Sequence, residues 1–191
     1  MRIEFNGVGF PFSERMFIPQ KSVGCRAIIE QDDCILFSCL TKRSQFLLPG
    51  GRMDNGESPI ECIERECLEE LGMIVHTNSW LCSIEEQYEK IVVRNDYFIV
   101  DVREQGLPLQ LVPEEIALKL APVWVSKDKV LRKLLLTQIH PKWWVTDNNL
   151  AIKHSHFREA CALSMYFGIP MPAIPDYLGD TLLNVKIQRE A

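Results

Sequence analysis

The sequence predicts a mixed α/β protein, a sheet lying between helical layers. Two kinds of stretch predict it. Apolar runs of strand length recur at 23–30, 34–40, 74–90 and 91–102, bounded by turn residues, and a well-capped acidic helix at 58–71 interrupts them. A late apolar-faced helix near 149–167 supplies the second helical layer.

The helix is the most sharply defined element. Ser58 fits the N-cap, Pro59 the first helical position, and Glu61 completes a capping box. Gly72 stands where a left-handed residue ends a helix. Ile60, Ile63, Cys67 and Leu71 then form an apolar stripe facing a sheet. Glu66, Glu69 and Glu70 share another side at spacings of three and four, where like charges repel. Residues 57–70 hold six Glu and one Arg, a net of −5 that equals the formal charge of the whole chain. The excess acidity is therefore confined to one helix. A divalent cation turns that repulsion into attraction, and the all-oxygen ligand set suits Mg²⁺ or Mn²⁺.

The remaining elements follow in order. RIEFN and RMFIP, broken by Gly7, Gly9 and Pro11, are short extended pieces of an N-terminal addition over 1–20. A single domain then has its core over 21–168. VGCRAIIE and CILFSCL form strands on either side of a turn at Gln31-Asp32-Asp33. Cys34 and Cys39 read as buried thiols. Thr41–Gln45 is a polar loop carrying Lys42 and Arg43, followed by FLLPGG, whose glycines bring bare backbone towards the acidic helix. IVHTNSWLCSIEEQYEK and IVVRNDYFIVDV are two further strands. Arg94-Asn95-Asp96 interrupts the second as a bulge or as residues facing a cleft. Pro113-Glu114-Glu115 opens a short segment before the strand PVWVS, and Ser126-Lys127-Asp128 starts a helix to about Leu136. Trp143 and Trp144 are packing aromatics in a loop. His154 and His156, two apart on the last helix, point in different directions and do not form a zinc site. Gly168 stops that helix, and 169–191 is a Pro-rich C-terminal tail.

Composition narrows the functional classes. With 191 residues, 47% apolar and 25% charged, the chain is of ordinary globular type. It contains no apolar run of membrane-spanning length and no recognisable signal segment. Seven cysteines without a CxxC pair suit a reduced, cytoplasmic setting. A net charge of −5 gives no reason to expect nucleic-acid binding.

Residues Gly51–Met73, GRMDNGESPIECIERECLEELGM, resemble the Nudix hydrolase signature position for position. Gly51, Glu57, Arg65, Glu66, Glu69, Glu70 and Gly72 fill its fixed positions, and Cys67 fills an apolar slot. Seven such residues coincide by chance on the order of once in 10⁸ to 10⁹ windows. The resemblance implies an α/β/α sandwich with a mixed β-sheet. It also implies hydrolysis of the pyrophosphate bond in a nucleoside diphosphate linked to another group, with Mg²⁺ or Mn²⁺ as cofactor. The metal ligands it points to are Gly51 (through its carbonyl), Glu66, Glu69 and Glu70. Glu57 either assists a metal or pairs with Arg65, which is assigned to orientation. The general base is Glu66 within the signature, or Glu114 or Glu115 in a loop beyond it.

Candidates to contact substrate are Arg43, Phe46, Arg52, Tyr88, Arg94 and Trp124. No Pro of the ADP-ribose type stands between Met73 and Pro108, and the NADH-type motif is missing. Tyr88, fifteen residues past Met73, points weakly to dinucleoside polyphosphates. The alternative class is a non-catalytic nucleotide sensor, against which the complete carboxylate set speaks. Diphosphate isomerisation would need a cleft cysteine that the sequence does not single out. The expected partner is a small nucleotide derivative, with no membrane and no nucleic acid; a homodimer is compatible with the sequence.

Overall fold

Two sheets clasp the acidic helix. The computed structural model describes residues 2–6, 20–87, 91–135, 147–173 and 184–189. The strands are β1 (Arg2–Asn6), β2 (Gln20–Ile28), β3 (Glu30–Gln31), β4 (Cys34–Leu40), β5 (Gln45–Leu47), β6 (Ile74–Gln87), β7 (Ile91–Glu104), β8 (Leu120–Ser126) and β9 (Asn184–Gln188). The helices are α1 (Pro59–Leu71), α2 (Pro113–Leu118), α3 (Lys127–Leu135) and α4 (Asp147–Tyr166). One sheet runs β1-β9-β6-β7-β2, and β2 pairs with β7 in parallel while the other pairs are antiparallel. The second sheet joins β3, β4 and β5, with β8 on the other edge of β4. The mixed α/β fold is as expected, but the strands divide into two sheets.

Local chemistry explains the junctions. Asp32 and Asp33 both have positive φ, 49° and 57°, in the two-residue turn between β3 and β4. Asp is among the few non-glycine residues that enter this region readily, and two such residues give the hairpin turn whose twist matches the strands. Helix α1 begins with the expected capping box: Ser58 Oγ accepts from Glu61 N–H, and Glu61 accepts from Ser58 N–H. It ends at Gly72 (φ 62°), with Gly72 N–H donating to Leu68 O and Met73 N–H to Cys67 O. A Cβ at Gly72 would collide with the Leu107 carbonyl, so the close approach of the 107–110 segment requires glycine there.

Because sheets flank α1 on two sides, its buried surface is wider than a single stripe. Cys62, Ile63, Glu66, Cys67, Glu70 and Leu71 are buried, while Ile60, expected in the apolar stripe, is 48% exposed. Cys62 takes its place. One core cluster packs α1 against Cys25, Ala27, Leu36 and Phe98; the other packs α3 and α4 against Phe37, Phe46, Ile84 and Tyr97.

Three other expectations need correction. Residues 184–188 are not part of a loose tail: β9 pairs with both β6 and β1, which places the two chain ends in the main sheet. Of the two readings of Arg94-Asn95-Asp96, the bulge is excluded: register is regular there, and the irregularities of the β6–β7 pair lie between Ile74 and Cys82. Phe46, proposed to contact substrate, is a core residue, edge-on to Phe37 at 6.0 Å with Lys133 Nζ 4.3 Å above its ring. RMFIP, Tyr88, Trp143 and Trp144 lie outside the described residues. All seven cysteines are free thiols. No described helix is long and apolar enough to cross a membrane.

Helix α4 is docked by a histidine: His156 Nε2 accepts from Phe46 N–H at 2.9 Å. Burial, with Lys133 nearby, pushes His156 down to about 4, and burial with Arg158 does the same to His154. Unfolded imidazoles take a proton near 6.5, so between about 6.5 and 4 the unfolded chain binds more protons and stability falls as pH drops. Urea unfolding of the wild type and a His154→Gln/His156→Gln variant at pH 7 and pH 4.5 should show this. The stability difference between them should shrink at low pH, by up to about 3 kcal/mol per histidine. A difference independent of pH would contradict the assignment.

Candidate active site

The loop before α1 is laid along β2 as if it were another strand. Ala27 N–H donates to Pro49 O at 2.8 Å, Cys25 N–H to Gly51 O at 2.9 Å, and Met53 N–H to Val23 O at 3.1 Å. Gly50 has φ 133°, and a Cβ there would strike the Cys25 carbonyl. A Cβ on Gly51 would occupy the place of the Glu66 carboxylate. These glycines press bare backbone onto the acidic face of α1.

Arg65 organises that face. Its Nε and Nη2 grip the two oxygens of Glu57 at 2.7 and 3.0 Å, while Nη1 donates to Glu66 Oε1 at 2.9 Å and Glu69 Oε2 at 3.1 Å. Nη2 also reaches the Arg52 carbonyl at 3.2 Å. The hydrogen bonds from Arg65 hold the Glu57 carboxyl down at about 2. Glu57 Oε2 also accepts from Asp54 N–H at 2.8 Å, so both of its oxygens are engaged. Of the two roles open to Glu57, the geometry favours pairing with Arg65.

Glu66 and Glu70 face inward. Glu70 Oε2 accepts from Ser38 Oγ at 2.8 Å and from Gly50 N–H at 3.0 Å, and burial pushes its carboxyl up to about 7. Burial also raises Glu66, against the pull of Arg65 and Arg26. Two buried carboxylates at this spacing are under-compensated by the cations around them, a deficit that a bound cation would make good. The donors are all hard oxygens, which fits Mg²⁺ or Mn²⁺. One oxygen each of Glu66, Glu69 and Glu70 takes no part in the bonds above. Among the described residues, however, no three acidic, His or Cys side chains yet converge on one point, since the Arg65 fork holds Glu57, Glu66 and Glu69. The residue types fit a divalent cation, and Arg65 fixes one oxygen each of Glu66 and Glu69.

The other candidates are more scattered. Arg52 lies beside the Arg65 fork, bridged through its backbone to Gly24. Arg43 sits in a 3-10 turn, Thr41–Arg43, tied through Thr41 to the Lys119 carbonyl at the end of α2. Glu114 and Glu115 lie on α2, where Glu115 accepts from Val112 N–H at 2.9 Å as a cap. Neither carries a bond to the signature carboxylates. Trp124 lines a cavity of about 320 Å³ with Gln31, Asp32, Cys34 and Gln105. Arg94 is paired with Asp96 at 2.8 Å and lines a separate recess of about 160 Å³ with Lys21 and Lys186. Neither lining includes a signature residue. Sequence reasoning missed Ser38 and Arg26, whose Nη1 donates to the carbonyls of Leu48 and Gly50. Their one signal is being polar residues inside the apolar runs of β4 and β2.

A family model described as NUDIX domain matches residues 19–144. A NUDIX hydrolase from Nitrosomonas europaea is similar in fold, with a TM-score of 0.50 and 20% identity over 74% of this chain and 91% of that one. A UDP-X diphosphatase has a TM-score of 0.49 and 17% identity, covering 78% of this chain and 64% of that one. An ADP-ribose pyrophosphatase from Streptococcus suis has a TM-score of 0.47 and 17% identity, covering 80% and 96% respectively. No curated protein sequence gives a significant match. The family match runs from β2 through β8 and so includes α1 with its complete glycine and carboxylate pattern. The chain belongs to the NUDIX family.

Gly51→Ala tests the packing of the loop on Glu66. The added methyl has no room unless the carboxylate or the loop moves. Displacement by about 1 Å at a reacting centre costs on the order of a hundredfold in rate. Turnover should fall by about that factor, with the helix content retained by circular dichroism. Unchanged turnover would show that the contact is not part of the working site.

Proposed function

We propose that the protein hydrolyses the pyrophosphate bond of a nucleoside diphosphate linked to another group, in a reaction dependent on Mg²⁺ or Mn²⁺. One observation carries this reading: Glu66 and Glu70 are buried, with raised carboxyl pKa values, against the Gly50–Gly51 backbone. A solvated acidic helix face would show neither feature.

Glu66, Glu69 and Glu70, with the Gly51 carbonyl, are the groups that would hold the metal. When bound, a divalent cation offsets phosphate charge, orients the phosphoryl group and makes water a better nucleophile. The protein's own residues set the geometry. Glu57 fixes the Arg65 guanidinium, and Arg65 in turn fixes one oxygen each of Glu66 and Glu69. Ser38 and Gly50 fix one oxygen of Glu70. Glu66 Oε2 stays outside the Arg65 bond, and it is the position assigned to accept the proton of the attacking water. Glu115 is committed as a helix cap, which favours Glu66 over Glu115 as base.

The substrate class is tested by a hydrolysis screen over nucleoside diphosphate derivatives with Mg²⁺ or Mn²⁺, identifying the products. Activity should vanish with chelator. Glu69→Gln and Glu70→Gln should each lower turnover by roughly a hundredfold or more. Glu64→Gln, at an exposed position of the same helix, should leave it nearly intact. Full activity in chelator would overturn the metal requirement, and equal losses in all three variants would reduce the effect to general helix charge.

A further inference from the structure

The recess of about 160 Å³ on the main sheet carries a chemistry of its own. Its lining is Lys21, Ser83, Glu85, Arg94, Lys186 and Gln188. Register places these residues together. Lys186 stands opposite Glu85 and Glu85 opposite Arg94; Gln188 stands opposite Ser83 and Ser83 opposite Asp96. Arg94 and Asp96 in turn stand opposite Val23 and Cys25 of β2. Directly opposed residues share a face of a sheet. Cys25 packs against α1, so this is the face that carries α1, yet no α1 residue lines the recess.

A row of Lys186, Glu85 and Arg94 across three neighbouring strands could close into a ladder of ion pairs, which stabilises a sheet and binds nothing. Here it does not close. Among the described residues, Glu85 pairs with Lys21 at 3.6 Å and with neither Arg94 nor Lys186. Arg94 turns back along its own strand instead. Its Nε donates to Asp96 Oδ1 at 2.8 Å, and its Nη2 donates to Asp96 Oδ2 at 3.1 Å and to Ser83 Oγ at 3.3 Å. Asp96 and Ser83 are buried, so the guanidinium is gripped from behind, while the Arg94 side chain stays 35% exposed. Its Nη1 takes no part in these bonds.

The lining therefore holds three cations against one carboxylate, in a chain of formal net charge −5. The group stays positive even with Asp96 counted, and a cleft of one sign draws the opposite ion. Pockets for drug-sized molecules run to about 300–1,000 Å³, so this one suits a small group. A guanidinium edge and two ammonium groups offer donors only, and a tetrahedral oxyanion has enough oxygens to meet all three.

We propose that this recess binds a phosphate group, as the free ion or as a phosphomonoester, with Arg94, Lys21 and Lys186 as its donors. The site shares no lining residue with the signature, and it stands independently of the hydrolysis proposed above. Asp96 and Ser83 are positioning residues that hold the Arg94 fork.

The test is calorimetric titration of the full-length protein with inorganic phosphate and with ribose 5-phosphate, in chelator so that no metal holds phosphate at α1. The wild type should bind at millimolar concentration. Lys186→Gln and Lys21→Gln should each weaken binding about threefold or more, and Arg94→Gln about tenfold. Glu85→Gln, which removes the one carboxylate of the lining, should tighten binding about threefold. Glu64→Gln makes the same change of net charge on α1, outside the recess, and should leave the affinity unchanged. The gain in Glu85→Gln is what a purely structural ladder would not produce, and it keeps the test decisive should the melting curve show that Arg94→Gln fails to fold. Responses of this pattern with both probes assign the site to a phosphoryl group of either source; a response to phosphate alone assigns it to the free ion. No binding of either probe by the wild type would overturn the site, as would equal affinities in the wild type, Lys186→Gln and Glu85→Gln proteins. Binding that appears only with Mg²⁺ would put the phosphate at α1 and overturn it too.

Discussion

The structure depends on the burial of two like-charged carboxylates, Glu66 and Glu70, between a helix and the glycine backbone that precedes it. Removing carboxylates from water is costly, and a like charge nearby raises the cost. The surroundings meet part of that cost. Arg65 binds Glu66, while Ser38 and the Gly50 N–H bind Glu70. Burial still raises both carboxyls, Glu70 up to about 7, so the compensation is incomplete. A stable domain tolerates such a deficit only when the rest of the fold over-determines it.

The two sheets supply that over-determination. Helix α1 is held by contacts with β2 and β6 on one side and β8 on the other, so its buried surface spans two adjacent rows. One row is apolar, with Ile63, Cys67 and Leu71; the other carries Cys62, Glu66 and Glu70. At the C-terminus, Leu107 N–H bonds to Gly72 O and Gln110 N–H to Glu69 O, which fixes the end of the helix against the loop after β7. At the N-terminus the capping box and the Glu57–Arg65 pair do the same. The acidic row therefore has little freedom to turn outwards and relax its charge.

Much of this was legible in the sequence, because it is local. The capping box, Pro59, Gly72 and the i, i+3, i+4 spacing of Glu66, Glu69 and Glu70 are relations within one turn or two, and they define α1 at both ends. The glycines of FLLPGG could be read as a close approach of backbone to acid, and they are one. What escaped was non-local. That α1 lies between two sheets, leaving Ile60 exposed and Cys62 buried, depends on how β8 pairs with β4. The pairing of residues 184–188 with β6 spans about a hundred residues of chain, and nothing in a Pro-rich stretch announces it. Phe46 and Trp124 are both candidates for substrate contact in the sequence, which cannot tell a core ring, as Phe46 is, from one lining a separate cavity, as Trp124 does. Arg26 was passed over for the opposite reason: a charged residue within an apolar strand looks like an exception until its carbonyl partners are seen.

The central claim is that the buried carboxylates are completed by a cation. Its most direct test is the melting temperature of the wild type and of a Glu66→Gln/Glu70→Gln variant across a titration of Mg²⁺. A ligand that binds only the folded state raises stability in proportion to the logarithm of its excess over Kd. The wild type should therefore melt at progressively higher temperature as Mg²⁺ is added. The variant, freed of two buried charges, should melt no lower than the wild type in chelator and should not respond to the metal. An equal rise in both proteins, or none in the wild type, would contradict the claim.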